Sequence, residues 1–209
     1  MARTPAPGTR ERILDSAERL IIDRGFAATT VDAVLVDAGT TKGAFFHHFA
    51  SKAELARSLV ERYAAADIAA LDDFMMRAEA ESEDPAEQVI AFVRLFEEAA
   101  EELAGMQPGC LYVSYIYEKQ LFDDGTNDTI IDTVTEWRER LRAKLEAAAK
   151  AHPPRLRVEL GSLADQVFTI FEGGFILART MHDPTHLRAQ LAHLRHYLQL
   201  LFALEPTAP

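Results

Sequence analysis

One cysteine, Cys110, stands among 209 residues, so the chain has neither an internal disulfide nor a thiolate cluster for zinc. No run approaches the ~18 apolar residues of a membrane span, and the N-terminus lacks the apolar core of a signal peptide. A soluble, cytoplasmic protein is therefore expected. Glycine loops that would cradle phosphate are missing, and Ser114 lacks the setting of an exposed nucleophile. No carboxylate pair stands in an apolar stretch. No enzyme is expected, and no cofactor. His182, His186, His193 and His196 have no thiol or carboxylate arranged beside them, so they read as solvated or interface side chains rather than metal ligands. Strand alternation, internal repeats and low-complexity tracts are also missing, which leaves an all-α fold.

Positive charge is scarce as well: 22 Lys and Arg face 33 Asp and Glu, a net charge of −11. Taken over the whole chain, that balance opposes binding to nucleic acid. Its distribution does not. Residues 1–52 hold seven of the basic and six of the acidic residues, leaving 15 and 27 to the rest. A near-neutral head can lie on phosphates while an acidic body is held away from them.

The remaining composition is ordinary for a globular protein, with 48% apolar and 26% charged residues. Its most informative stretch is residues 30–52, TVDAVLVDAGTTKGAFFHHFASK. Val31, Val34, Leu35 and Ala38 recur at helical spacing, and Gly39 ends that helix because it tolerates positive φ. Thr40 or Thr41 then caps a second short helix, residues 42–49, anchored by Phe45 and Phe49. Its other side shows Lys42, Gly43, Ala44, Phe46, His47 and His48. Two short helices joined by a glycine-containing turn are the helix-turn-helix pattern, whose second helix enters the DNA major groove.

Thr29-Thr30-Val31, Ala38-Gly39, Thr41-Lys42-Gly43, His48-Phe49 and Ser51-Lys52 together resemble the DNA-binding domain of the TetR family of bacterial transcriptional regulators. The chain departs from the family's usual pattern at Leu35, Thr40 and Phe46; where Phe46 stands, relatives commonly have a Tyr that gives its hydroxyl to a phosphate. The candidate DNA-contacting residues are Thr30, Thr41, Lys42, Gly43, Ala44, Phe46, His47, His48 and Lys52. Lys42 has the best case for a base-edge or phosphate contact, and Lys52 sits in the first turn of a helix, where phosphate would meet both ammonium and helix N-terminus. The resemblance implies a helix-turn-helix domain over residues 1–52 and a helical effector-binding and dimerisation domain over 53–209.

Around this head the chain reads as a series of helices. Residues 1–8 form an arm; Arg3 and Arg10 could reach a phosphate or the minor groove, although a solvated tail is the simpler reading, and Thr9 caps a first helix ending at Arg24-Gly25. Ser51 and Glu54 make a capping box for a long helix to residue 81. Asp84-Pro85 opens the next, to residue 104. A turn at Pro108-Gly109 precedes an aromatic helix over 110–122, stopped at Asp123-Asp124-Gly125. Helices over 127–151 and 156–181 and a last leucine-rich helix follow. The 156–181 helix carries two apolar stripes, one through Ala164, Phe168, Phe171 and Phe175, the other through Leu163, Val167, Ile170, Gly174, Leu177 and Met181. Two apolar faces need two partners, the chain's own core and a second copy. Gly173 and Gly174 suit a close backbone approach.

Phe92, Phe96, Tyr112, Tyr115, Trp137, Phe168, Phe171 and Phe175 are candidates for the lining of a small-molecule pocket, together with Cys110. Three tyrosines within six positions (112, 115, 117) are more hydroxyls than a dry core would hold. The reading is a homodimeric repressor that releases a pseudopalindromic DNA operator when a small-molecule effector binds the C-terminal domain. The alternative is a thiol sensor in which modification of Cys110, at a helix N-terminus that lowers its pKa, replaces effector binding. A branch of the resembled family senses electrophiles through such a cysteine.

Overall fold

The computed structural model describes residues 8–106, 109–122 and 124–204. The arm with Arg3, the turn residue Pro108 and the helix stop at Asp123 lie outside the described residues. Among these residues there is no strand. The α-helices are α1 (Thr9–Arg24), α2 (Val31–Asp37), α3 (Lys42–His48), α4 (Lys52–Glu81), α5 (Pro85–Met106), α6 (Leu111–Ile116), α7 (Asp124–Ala151), α8 (Leu160–Met181) and α9 (Thr185–Leu201). They form two compact units. One comprises Met1–Ala65 with Cys110–Ile131, the other Ala66–Gly109 with Asp132–Pro209.

Local chemistry sets most helix ends. Thr30 accepts from the Ala33 amide at 3.1 Å, and of the two candidate threonines it is Thr41 that caps α3, accepting from Ala44 at 3.2 Å. Gly39 closes α2 at φ 58°. At α4, Ser51 accepts from the Glu54 amide while the Glu54 carboxylate accepts from Ala50, so the box closes one residue earlier than its sequence form implies. Asp84 caps α5 through the Ala86 and Glu87 amides.

Several boundaries differ from expectation. Gly8, not Thr9, occupies the cap of α1; Thr9 is already helical, and its hydroxyl accepts from Arg12 instead. The expected helix over 110–122 stops at Ile116 and resumes only as a 3-10 turn, Lys119–Leu121. Between them Glu118 turns its carboxylate onto the Ala27 amide at 2.7 Å, and the chain then returns Phe122 to within 4.4 Å of Phe26 and 4.2 Å of Tyr115. Packing here overrides helix propensity. Helix α7 begins three residues early, at Asp124. Helix α8 starts at Leu160 rather than at residue 156, because Glu159 takes the amides of Gly161 and Ser162 while Arg155 donates to the Leu201 carbonyl.

In the first unit, Ile13, Leu14, Ala17 and Ile21 of α1 pack with Phe26, Phe45, Phe49 and Tyr115 in a closed core. Arg62 of α4 reaches Glu11, Asp15 and Glu18 along α1, at 2.6–3.2 Å. Asp37 of α2 accepts from Ser16 and Arg19, and the Arg19 guanidinium together with the Ser16 hydroxyl holds its carboxyl down to about 2.

The second unit is built on α9, whose Leu187, Leu191, Leu194 and Leu198 are all buried against α5 and α8. The approach of α8 to α9 is closest at Gly174, where a Cβ would lie 2.5 Å from Leu187 Cδ1 and 3.1 Å from its Cα. Gly173, next along the helix, faces nothing within 4 Å, so only Gly174 is required by this contact. The expectation that no stretch approaches a membrane span needs correcting, since among the described residues α8 passes that test by length and composition, with mean hydropathy 1.2. A helix with two apolar sides in a helical bundle passes it too. Leu163, Val167 and Ala178 face the core, whereas Ile176, Leu177 and Met181 are exposed.

Two outcomes test this packing. Gly174→Ala should lower stability by about 1–3 kcal/mol through overpacking. Gly173→Ala should leave it unchanged or raise it by up to ~1 kcal/mol by restricting the unfolded chain; denaturant melts read both. The Asp37 contribution is present above its unfolded pKa of about 3.9 and is lost as pH falls from about 4 towards 2, because protonation ends its bonds to Arg19 and Ser16. Asp37→Asn should flatten that part of the acid-stability curve.

Candidate functional site

Phe45 and Phe49, both buried to within 1% exposure, pin α3 to the first unit's core. That fixes which side faces outward: Thr41, Lys42, Gly43, Phe46 and His47 are exposed, and Ala44 and His48 half-buried. Gly43 has only Thr41 near its missing Cβ, at 4.0 Å, so another molecule can approach the α3 backbone there. Thr30 is exposed too, although its oxygen is engaged in capping α2. The Phe46 ring stands edge-on to Phe45 at 5.3 Å, and half of it remains open to solvent. The set is mixed: one lysine, two histidines, a hydroxyl and a small apolar patch. Such a surface can touch both phosphates and thymine methyl groups.

Lys52 is placed differently from its neighbours on the candidate roster. Its ammonium donates to the Phe26 carbonyl at 2.6 Å and lies 3.9 Å above the Phe26 ring. Burial pushes its pKa down, with the nearby Glu118 carboxylate opposing. Two further residues join the outward face: Val36, which periodicity does not single out, and Arg10, which the sequence sets beside Arg3 as a possible DNA contact. Val36, at the end of α2, is 83% exposed, an apolar residue off the buried stripe. Arg10 holds its guanidinium 5.5 Å from the Phe49 ring at the end of α3, adding a cation beside the recognition helix.

The nine residues expected to share a pocket fall into two separate groups. Cys110, Tyr112 and Tyr115 belong to the first unit. Tyr115 is fully buried, donates to the Ala56 carbonyl at 3.2 Å and stacks on Phe122; burial drives its hydroxyl pKa up. Tyr112 meets the Tyr63 ring edge-on at 5.0 Å. The Tyr115 hydroxyl and both rings are thus engaged within the first unit. Cys110 is half-buried at the cap of α6 and makes no capping bond through its side chain.

The rest lie in the second unit. Phe96 is the centre of an aromatic cluster, stacked on Phe74 at 3.9 Å and edge-on to Phe92 and Phe171, both at 5.0 Å. Trp137 approaches Phe96 at 5.9 Å and Phe92 at 6.4 Å. Phe175 lies 6.3 Å from Phe171, and Phe168 is half-buried on the same helix. Beside this cluster is an apolar cavity walled by α4, α5, α7, α8 and α9, among them Met75, Phe92, Leu141, Val167 and Leu198. Of the nine expected residues only Phe92 lines it. Its polar groups are Gln88 and Lys144, 3.0 Å apart, and the Lys144 ammonium also pairs with Glu79. The cavity measures about 20 Å³, little more than one water's worth of free space.

Residues 13–59 match the family model for bacterial regulatory proteins of the tetR family, and residues 85–194 that of the tetracyclin repressor-like C-terminal domain. The chain is 25% identical over 171 residues to the transcriptional regulator AcuR of Cereibacter sphaeroides, across 79% of this chain and 75% of that protein. It is 33% identical over 76 residues to the transcriptional repressor NemR of Escherichia coli, across 36% of this chain and 38% of that one. A TetR transcriptional regulator from Chloroflexus aurantiacus matches the fold with TM-score 0.74 at 25% identity, across 92% of this chain and 95% of that one. The regulatory protein TetR from Rhodobacter sphaeroides matches with TM-score 0.73 at 21% identity, across 90% and 98%. A helix-turn-helix with an outward recognition face, a helical C-terminal unit and family matches over both parts converge: the chain belongs to the TetR family, a DNA-binding transcriptional regulator and not an enzyme.

Proposed function

We propose that the protein is a cytoplasmic, homodimeric repressor that gives up a pseudopalindromic operator when a small apolar molecule enters the cavity of its second unit. The observation that carries effector control is the cavity's size. Five helices enclose it, yet only about 20 Å³ is free, whereas sites for small molecules run to roughly 300–1,000 Å³. A ligand must spread those helices to enter. Its affinity for the spread and closed states then differs, and that difference is what coupling requires; each ~1.4 kcal/mol of preference changes operator affinity tenfold.

Helix α4 supports the link. It lines the cavity with Met75 and Ala78, and its first turns hold the head together through Lys52 on Phe26 and through the Ala56 carbonyl, which receives Tyr115. A shift of α4 at the cavity disturbs those bonds.

A second copy is called for by charge and by exposed apolar surface. With Lys52 turned inward, α3 offers Lys42 as its lysine, too little to hold phosphate alone. Two heads set about one DNA turn apart, roughly 34 Å, double every contact. Ile176, Leu177 and Met181 on α8 and Leu200 on α9 are the exposed apolar residues that a second copy would cover, and Gly173 leaves room beside them.

In a gel-shift titration against a pseudopalindromic operator, Lys42→Glu should weaken binding about tenfold or more, with the fold unchanged because Lys42 is exposed. Binding unaffected by that change, or no binding by the intact protein at low salt, would remove the DNA-contact assignment. The double variant Ile176→Glu with Leu200→Glu should run as a monomer in light scattering at micromolar concentration and lose operator affinity while keeping its helical spectrum. A variant that stays dimeric places the dimer contact elsewhere.

A further inference from the structure

The indole N–H of Trp137, the only tryptophan in the chain, is buried and has no hydrogen-bond acceptor among the described residues. Buried donors without partners are rare in folded proteins and carry a desolvation cost. Trp137 stands one helical turn before Leu141, a cavity wall residue, and its ring faces Phe92, another. Trp137 is not itself a wall residue; its donor stands directly behind the wall, beside Phe92. At the other end, the Lys144 ammonium is already neutralised by Glu79 and held by Gln88. The wall is therefore apolar with no uncommitted charge, and one uncommitted donor stands directly behind it, within reach of a molecule that spreads the helices.

We propose that the effector is a neutral, largely aromatic molecule carrying a hydrogen-bond acceptor, a carbonyl or an equivalent oxygen, which receives the Trp137 indole N–H. This rests on the reading of the cavity as the effector site and adds its chemistry. Neutrality follows from Lys144: a carboxylate entering such a lining would be buried with no cation free to pair it. The acceptor follows from Trp137, because a hydrocarbon of the same shape leaves the donor as it stands. Aromatic character follows from Phe92 in the wall and from Phe96 and Phe171 packed edge-on behind it, a cluster that offers ring faces to a molecule that opens the cavity.

Three probes of nearly one shape separate these claims: acetophenone, isopropylbenzene and benzoate. Because there is one tryptophan, the ¹⁵N-labelled full-length dimer gives one indole N–H signal, which reads the site directly. Acetophenone should move that signal downfield in a saturable way and bind about tenfold more tightly than isopropylbenzene, the ~1.4 kcal/mol that satisfying one buried donor is worth. Benzoate should bind more weakly than acetophenone. Trp137→Phe should erase the preference for the ketone while keeping operator binding and the affinity for isopropylbenzene.

Equal binding of ketone and hydrocarbon with the indole signal unmoved overturns the proposal, as does tighter binding of benzoate. Saturable binding of none of the three overturns it as well. Operator binding measured on the same samples keeps this failure distinct from failure of the repressor reading. A protein that binds operator but ignores the ketone is still a DNA-binding regulator. One that binds no operator while the indole responds has the cavity without the DNA contact.

Discussion

The second unit closes on one contact, Gly174 of α8 against the Leu187 backbone of α9. Any side chain at Gly174 would hold the helices further apart, and the leucine row of α9 would lose its seat. That approach has consequences on both sides of α8. Inward, it draws Leu163 and Val167 towards α5 and α7 and leaves a cavity barely larger than a water. Outward, it leaves Ile176, Leu177 and Met181 exposed. A tight interior is not continuously deformable, so a molecule forced into it must move whole helices rather than single side chains.

In the head, charge is used mainly for internal fastening. Arg62 is spent on three carboxylates of α1, Arg19 on Asp37, and Lys52 on the Phe26 carbonyl and ring. Few cations remain to meet phosphate, in a protein of net charge −11. The arrangement favours modest affinity with marked dependence on salt over the grip of a strongly basic face. It also ties the recognition helix to its support. Glu118 on the Ala27 amide, Tyr115 on the Ala56 carbonyl and Phe122 on Phe26 bind residues 110–122 into the same unit as α1 to α3. A late stretch of chain is thus part of the DNA-binding head.

The caps, the helix-turn-helix and the leucine row were legible in the amino-acid sequence because each depends on neighbours within a turn or two. Thr41, Ser51 and Asp84 hold amides only two or three residues away, and Gly39 supplies its own positive φ, although the cap expected at Thr9 falls to Gly8. Phe45 and Phe49 must share a helix side at that spacing, so the outward residues of α3 follow. What local chemistry could not foretell were contacts between residues far apart in the chain. The break after Ile116 depends on Glu118 meeting an amide 91 residues earlier. Tyr112 and Tyr115, which looked like pocket hydroxyls, are buried in the head for the same reason, while Tyr117 is exposed.

The two orders of information divide accordingly. From side-chain types and their spacing alone come an all-helical chain, a DNA-reading pair of short helices and a two-faced helix awaiting partners, since propensity, capping and periodicity act over single turns. Folding decided which aromatics meet, that Lys52 faces inward, that Gly174 and not Gly173 carries the helix contact, and that the Trp137 donor finds no acceptor among the described residues. Those outcomes depend on distances between helices, and such distances are set by the packing of the whole core at once.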